Sequence, residues 1–205
     1  MLDLLFSVMG DTVPTDHAYP LYAALASVVP AFHDPAARLR FAPLGGVPDA
    51  PGRLRLTDRS RLRIRLPEDQ IRLALPLAGK KLDIGGHAVR VGVPSVTTLT
   101  PAPTLAARVV TFKHADDPTK FLATARLKLA ELGVEGEPAV PLLTSGPRAG
   151  EPRRRVVRVA GKAIIGYTLL VSGLTAEHSI RLQELGLGGR TKMGCGFFRS
   201  VKEDE

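Results

Sequence analysis

Six consecutive residues, Arg61-Leu62-Arg63-Ile64-Arg65-Leu66, alternate charge and aliphatic bulk without a break. A period of two puts all the aliphatic side chains on one side of a strand, whereas a helix would scatter them around its axis. Arg53-Leu54-Arg55-Leu56 lies just upstream, and Thr57-Asp58-Arg59-Ser60 has the composition of a turn, so the stretch is predicted to be a hairpin. Its leucines and Ile64 then face a core, while five arginines, with no acid among them, share the other face. Such a face is either a solvated surface or one that tracks phosphates, and the second reading makes Arg61 and Arg63 candidate contacts for a polyanion.

Around this hairpin the elements fall into a repeated order. Leu2 to Val8 reads as a strand, and Leu21, Leu25, Val28 and Phe32 form a helical stripe that Pro30 should end or kink. Pro67 to Ala78 reads as a second helix, with closing strands at Lys81–Ile84 and Ala88–Val91 around Gly85-Gly86. The Pro/Thr-rich run from Pro94 to Pro103 has the composition of a linker. Beyond it come a strand at Leu105–Phe112, a helix at Pro118–Leu132 and a long loop at Gly133–Pro152. A hairpin of Arg153–Val159 and Lys162–Val171, a helix at Thr175–Leu185 and a last strand at Met193–Val201 complete the chain. Each half spells βαββαβ, so the fold class expected is α+β, a tandem of ferredoxin-like (RRM-like) domains. Their expected limits are residues 1–93 and 105–205, joined by a linker at 94–104.

The last loop concentrates backbone freedom and charge. Gly186, Gly188, Gly189, Gly194 and Gly196 surround Arg190 and Lys192, and glycines at this density allow positive φ and leave backbone N–H groups open to a ligand. Donors and cations without a carboxylate fit phosphate. The spacing matches neither the G-x-x-x-x-G-K-[ST] loop nor the dinucleotide fingerprint. A mobile hairpin whose glycines serve only the turn is the competing reading.

The 205 residues carry Lys+Arg 28 against Asp+Glu 20, a net charge of +8, and the excess occurs in both halves. That balance favours a polyanionic partner. One cysteine, Cys195, leaves no disulfide framework and no cysteine-built metal site. The apolar run Met1–Val8 lacks a basic flank and is too short to span a bilayer, so no membrane role and a cytoplasmic location are expected. With aromatics at 5% and no Trp, RNA binding must rest on phosphates and shape more than on base stacking.

At the glycine loop and after the first helix the chain resembles the CRISPR-associated repeat-processing endoribonucleases. Gly186-Leu187-Gly188, five residues, then Gly194-Cys195-Gly196-Phe197 is similar to the family's C-terminal loop. A polar turn, a tyrosine-bearing helix and then Phe32-His33-Asp34 is similar to its N-terminal pattern. The resemblance extends end to end in element order, and the compact length is like that of members serving type I complexes. It implies two ferredoxin-like domains and no cofactor or metal. The expected activity is binding of a CRISPR repeat RNA hairpin and cleavage of one phosphodiester at its 3′ base, by attack of the 2′-OH on the adjacent phosphate. Other subunits of a type I (Cascade-like) effector complex are the further partners expected.

The same resemblance makes His33 the leading catalytic residue and His17 the second. Tyr22, on the helix between them, would orient a phosphate or share the proton transfer. One unbroken helix would hold the two histidines more than ~20 Å apart, so joint action requires the chain to double back at Pro30. Arg38 or Arg40 would stabilise charge, since no lysine stands beside His33 in sequence. Gly186, Gly188, Gly189, Arg190, Lys192, Gly194 and Gly196 would hold RNA, with Arg153, Arg154, Arg155, Arg158, Arg61 and Arg63 as further contacts. Two other readings of the residues stay open: an RNA-binding module that never cuts, and a structural subunit using the glycine loop for protein contact. The inner strands carry no aromatic pair of the kind RNA-recognition domains use, which weighs against an ordinary module of that sort.

Overall fold

The structure is a computed structural model and describes residues 1–201. Glu203-Asp204-Glu205, expected to be a solvated tail, lies outside the described residues. The chain divides into two units, Met1–Thr98 with Lys192–Gly194, and Leu99–Thr191 with the chain from Cys195.

In the first unit the order is β1 (Leu2–Met9), β2 (Thr12–Pro14), α1 (Ala18–Val28), β3 (Arg40–Ala42), β4 (Val47–Ala50), β5 (Arg53–Arg55), β6 (Arg61–Leu66), α2 (Ile71–Ala74), β7 (Lys81–Asp83) and β8 (Ala88–Thr98). An antiparallel sheet runs β3-β6-β1-β8-β7. Its first four strands have the ferredoxin-like order, with β7 added at the edge. Alternation places Leu2, Leu4, Phe6 and Val8 of β1 in the core, where they meet Leu21, Ala24 and Leu25 of α1. The helix stops where expected. Val29 N–H still reaches the Leu25 carbonyl, but Pro30 has no N–H to continue the ladder, and Pro30–His33 form a 3₁₀ turn instead.

The expected arginine face does not exist as one surface. β5 pairs with β2 and β4 in a separate three-stranded sheet, while β6 lies in the main sheet, so the two Arg-Leu runs never form a hairpin. β6 also has an acid opposite it: Asp3 of β1 is in register with Arg65. Its carboxylate accepts from Arg65 Nε at 2.7 Å and Nη2 at 3.0 Å, and from Arg63 Nη1 at 2.8 Å. Arg65 and Asp3 are buried, at 1% and 2% exposure. Local sequence cannot show a carboxylate 60 residues away in the chain.

Two further expectations change. The main sheet extends to Thr98, because Pro94 to Thr98 pair with Phe6 to Leu2 of β1; the first part of the predicted linker is therefore strand. The second helix is short: Glu68–Gln70 and Leu75–Leu77 are 3₁₀ turns around the four residues of α2, with Pro76 unable to donate into a longer helix.

The second unit contains β9 (Leu105–Val110), α3 (Pro118–Glu131), β10 (Glu137–Ala139), β11 (Arg154–Val159), β12 (Lys162–Ser172), α4 (Ala176–Leu185) and β13 (Phe198–Ser200). Its sheet order is β10-β12-β9-β13, with β11 folded back on β12, again the ferredoxin-like order. The second strand of this motif is β10, inside the stretch predicted to be all loop. Asp117 caps α3 by accepting from Thr119 and Lys120 N–H at 3.0 Å, and Pro118 occupies the first turn. Phe121, Ala125 and Leu129, four residues apart, bury one face of α3.

Candidate active site

His33 ends the 3₁₀ turn that follows α1, with its imidazole exposed. Tyr22 projects from α1 beneath it. The Tyr22 hydroxyl and His33 Nδ1 are 2.9 Å apart, and the rings meet edge to face with centroids at 5.5 Å. Burial, with Tyr19 adding to it, raises the Tyr22 phenol above its usual value, so it remains a neutral hydroxyl at physiological pH. The second ring nitrogen of His33 has no partner among the described residues. Phe32 anchors the turn from inside, fully buried against Phe41 at a centroid distance of 5.4 Å.

A cation completes the group from the far end of the chain. Lys192 Nζ donates to the carbonyls of Phe32 at 2.8 Å and Asp34 at 2.7 Å, the residues on either side of His33. Burial lowers the Lys192 ammonium from its usual value, with nearby Asp34 opposing the shift. Sequence reasoning assigned the lysine to RNA and sought the charge near His33 in Arg38 or Arg40. Arg38 is exposed, and Arg40 sits on β3 opposite Arg65 with Nη1 3.8 Å from Met1 Sδ.

His17 is not placed for proton transfer. It is 1% exposed, Nδ1 is 2.7 Å from the Pro14 carbonyl, and Nε2 accepts from Leu44 N–H at 2.8 Å. Since a carbonyl can only accept and an N–H only donate, these partners hold a neutral imidazole with Nδ1 protonated. The chain does turn at Pro30, but His17 serves to tie the end of β2 to the segment after β3.

The glycines of the C-terminal loop meet the protein's own backbone. A Cβ on Gly188, at φ +82°, would stand 2.6 Å from the Thr111 carbonyl, and one on Gly196, at φ +64°, would collide with the Leu187 carbonyl. On Gly194, at φ +74°, it would reach Pro43 Cδ at 2.6 Å. The N–H groups of Gly186, Gly189 and Gly196 are spent on Leu182, Thr111 and Val109 carbonyls. They are therefore unavailable to a phosphate, contrary to the expectation of an open nest of donors. Arg190 is exposed, and a non-glycine residue with φ of 59°.

The remaining arginines divide by environment. Arg154 and Arg158 are exposed on β11. Arg155 is half-buried, its Nε 3.3 Å from Thr168 Oγ1. Burial lowers its guanidinium, and the like charges of Arg108 and Arg153 add to the shift. Arg108 was not anticipated; it is the exposed position among the mostly buried residues of β9, a period-two signal that a count of charged outward positions would have found. Arg61 donates to the carbonyls of Asp58 and Ser60, and Arg63 is held by Asp3. Among the described residues no group of three or more His, Cys, Asp or Glu is placed to hold a metal ion, and no helix is long and apolar enough to cross a membrane.

Comparison with known proteins gives a consistent neighbourhood. The sequence model of the family described as Cas6 Crispr matches residues 2–203. The CRISPR-associated endonuclease Cas6 of Myxococcus xanthus (strain DK1622) is 43% identical over 197 residues, 96% of this chain and 80% of the relative. In fold, the chain is similar to a CRISPR associated protein Cas6 (TM-score 0.70, 14% identity, 98% and 99% of the two chains covered). It is also similar to Thermus thermophilus Cse3 bound to an RNA representing a pre-cleavage complex (TM-score 0.52, 14% identity, 97% and 98% covered).

Proposed function

The chain belongs to the Cas6 family, and from that premise we propose that it cuts CRISPR repeat RNA at a hairpin, with Tyr22, His33 and Lys192 as the working group. The observation that carries this is the contact between Tyr22 and His33, with Lys192 bonded to both carbonyls that flank the imidazole. A neutral phenol can donate to Nδ1 or accept from it. When it accepts from Nδ1–H, the outward nitrogen is a base able to take the proton of a 2′-OH. Having taken that proton, the imidazole is a cation with an N–H on both nitrogens, and its outward N–H can be given to a 5′ oxygen. The 2′ oxygen forms a bond to the adjacent phosphorus as the bond to the 5′ oxygen breaks, leaving a 2′,3′-cyclic phosphate and a 5′-hydroxyl. The nucleophile belongs to the substrate, so the reaction requires proton transfer and charge neutralisation from the protein and no metal-activated water. The product would pass in the cytoplasm to the other subunits of a type I effector complex.

Cleavage of a repeat hairpin is expected to persist in EDTA and to stop when the scissile nucleotide is 2′-deoxy. Loss of cutting under chelation, or cutting of the deoxy substrate, would remove this mechanism. Binding without any cleavage would instead favour an RNA clamp.

Single substitutions in the glycine loop separate binding from catalysis. Arg190→Ala should lower the slope of log affinity against log salt by about one unit, as the loss of one phosphate contact does. Lys192→Ala should act mainly on turnover, by ~10²-fold, since a small displacement of a reacting group costs about that much. Filter binding across a salt series and single-turnover rates decide it; a Lys192 variant with normal turnover and a reduced slope would return that lysine to plain RNA binding.

A further inference from the structure

The second unit contains a cavity of about 660 Å³ that the proposed catalysis does not use. Its floor is apolar, formed by Phe112 after β9 and by Ile164 and Ile165 of β12. Around the rim stand Lys113, His114 and Arg190, all exposed and none with an acidic partner among the described residues. Lys128 also lines it, but its ammonium is bonded to Glu131 at 2.6 Å. Asp116 contributes the one carboxylate. His114 and Arg190 both hold φ of 59°, a left-handed conformation that costs a non-glycine residue energy and concentrates at functional sites.

An apolar floor under a rim with excess positive charge fits a ligand with a flat uncharged part and an anionic part. The volume falls in the range of small-molecule sites, ~300–1,000 Å³. We infer that this cavity takes one unpaired nucleotide of the bound RNA, its base against Phe112, Ile164 and Ile165 and its phosphate against Lys113, His114 and Arg190. A paired base cannot enter, because both of its faces are stacked in the helix, whereas an unpaired one has a free face to lay on an apolar surface. The source of the nucleotide rests on the reading of the chain as an RNA-binding enzyme; the chemistry of the cavity does not.

The test therefore has two arms. In the first, uridine and adenosine 5′-monophosphate and inorganic phosphate are titrated into the full chain while the Ile164 and Ile165 methyl resonances are followed. Saturable shifts with the nucleotides, at least tenfold weaker binding of phosphate alone, and loss of the response in Lys113→Glu support the site. His114→Gly keeps the left-handed backbone and should weaken nucleotide binding in the same direction. No saturable shift, or equal binding of phosphate alone, overturns a nucleotide site. In the second arm, 4-thiouridine is placed singly at each unpaired position of a repeat RNA and crosslinked peptides are identified. An adduct on residues 112–114 or 163–165 supports RNA as the source. Nucleotide binding in the first arm with every RNA adduct elsewhere assigns the cavity to a free nucleotide and overturns that source. A chain that binds no RNA overturns both the proposed function and the source, while the first arm still decides the cavity.

Discussion

His33→Ala is expected to slow cleavage of the repeat hairpin by ~10²–10⁴-fold while leaving affinity close to that of the parent, because a group that moves a proton stabilises the transition state more than the bound substrate. Tyr22→Phe should lie between the two, since it leaves the imidazole in place and removes only the hydroxyl 2.9 Å from Nδ1. The informative comparison is His17→Ala. From sequence this variant would be a milder copy of His33→Ala, but a buried imidazole with both nitrogens engaged predicts loss of stability instead. It leaves the Leu44 N–H and the Pro14 carbonyl without their partner, at about 1–3 kcal/mol for each group stranded. Single-turnover rates and urea midpoints on all three variants separate the roles. A stable His17→Ala that cannot cut, beside a His33→Ala that cuts normally, would reverse the assignment.

Asp3→Ala should destabilise the first unit by about 3–5 kcal/mol, the usual consequence of leaving a buried charge without its partner. The Arg65 guanidinium is 1% exposed and is held by both oxygens of Asp3. With the carboxylate gone it must either remain charged in a dry sheet or pull the β1–β6 pairing apart. Arg63→Ala should cost far less, because Arg63 lies at the more exposed edge of the group, with 28% of its side chain accessible. A double replacement, Asp3→Leu with Arg65→Met, removes both charges and should recover much of the loss. Urea unfolding with coincident spectroscopic probes measures each. A loss below about 1 kcal/mol for Asp3→Ala would show that water reaches Arg65 and that the pair is a surface ion pair in energetic terms.

These two sites differ in how far they could be seen from the chain alone. His33 and Tyr22 lie 11 residues apart, on either side of a proline that forces a turn, so the family resemblance carried by that short stretch was enough to single them out. Lys192 is 158 residues from Asp34. It stands in the same short loop as Arg190 and the glycines, which made RNA the natural partner and concealed its place beside His33. Asp3 was hidden for the same reason: no acid interrupts the run from Arg61 to Leu66, and the carboxylate arrives on the neighbouring strand.

The sequence by itself determined most of the two ferredoxin-like units, all but the second strand of each, because alternation with a period of two and stripes of period 3.6 are local consequences of how each backbone points its side chains. It also determined the end of α1, since proline has no N–H to donate, and the presence of glycines where Gly188 and Gly196 must take positive φ. Short strands carry too few periods to register, so β3 and β10, three residues each, were recognisable only through their partners in the sheet. The tertiary structure alone decided which charges meet, placing Asp3 on Arg65, both nitrogens of His17 on backbone groups and Lys192 on the turn of His33. Pairing energies depend on distance and burial, and both are set when strands far apart in the chain come into register.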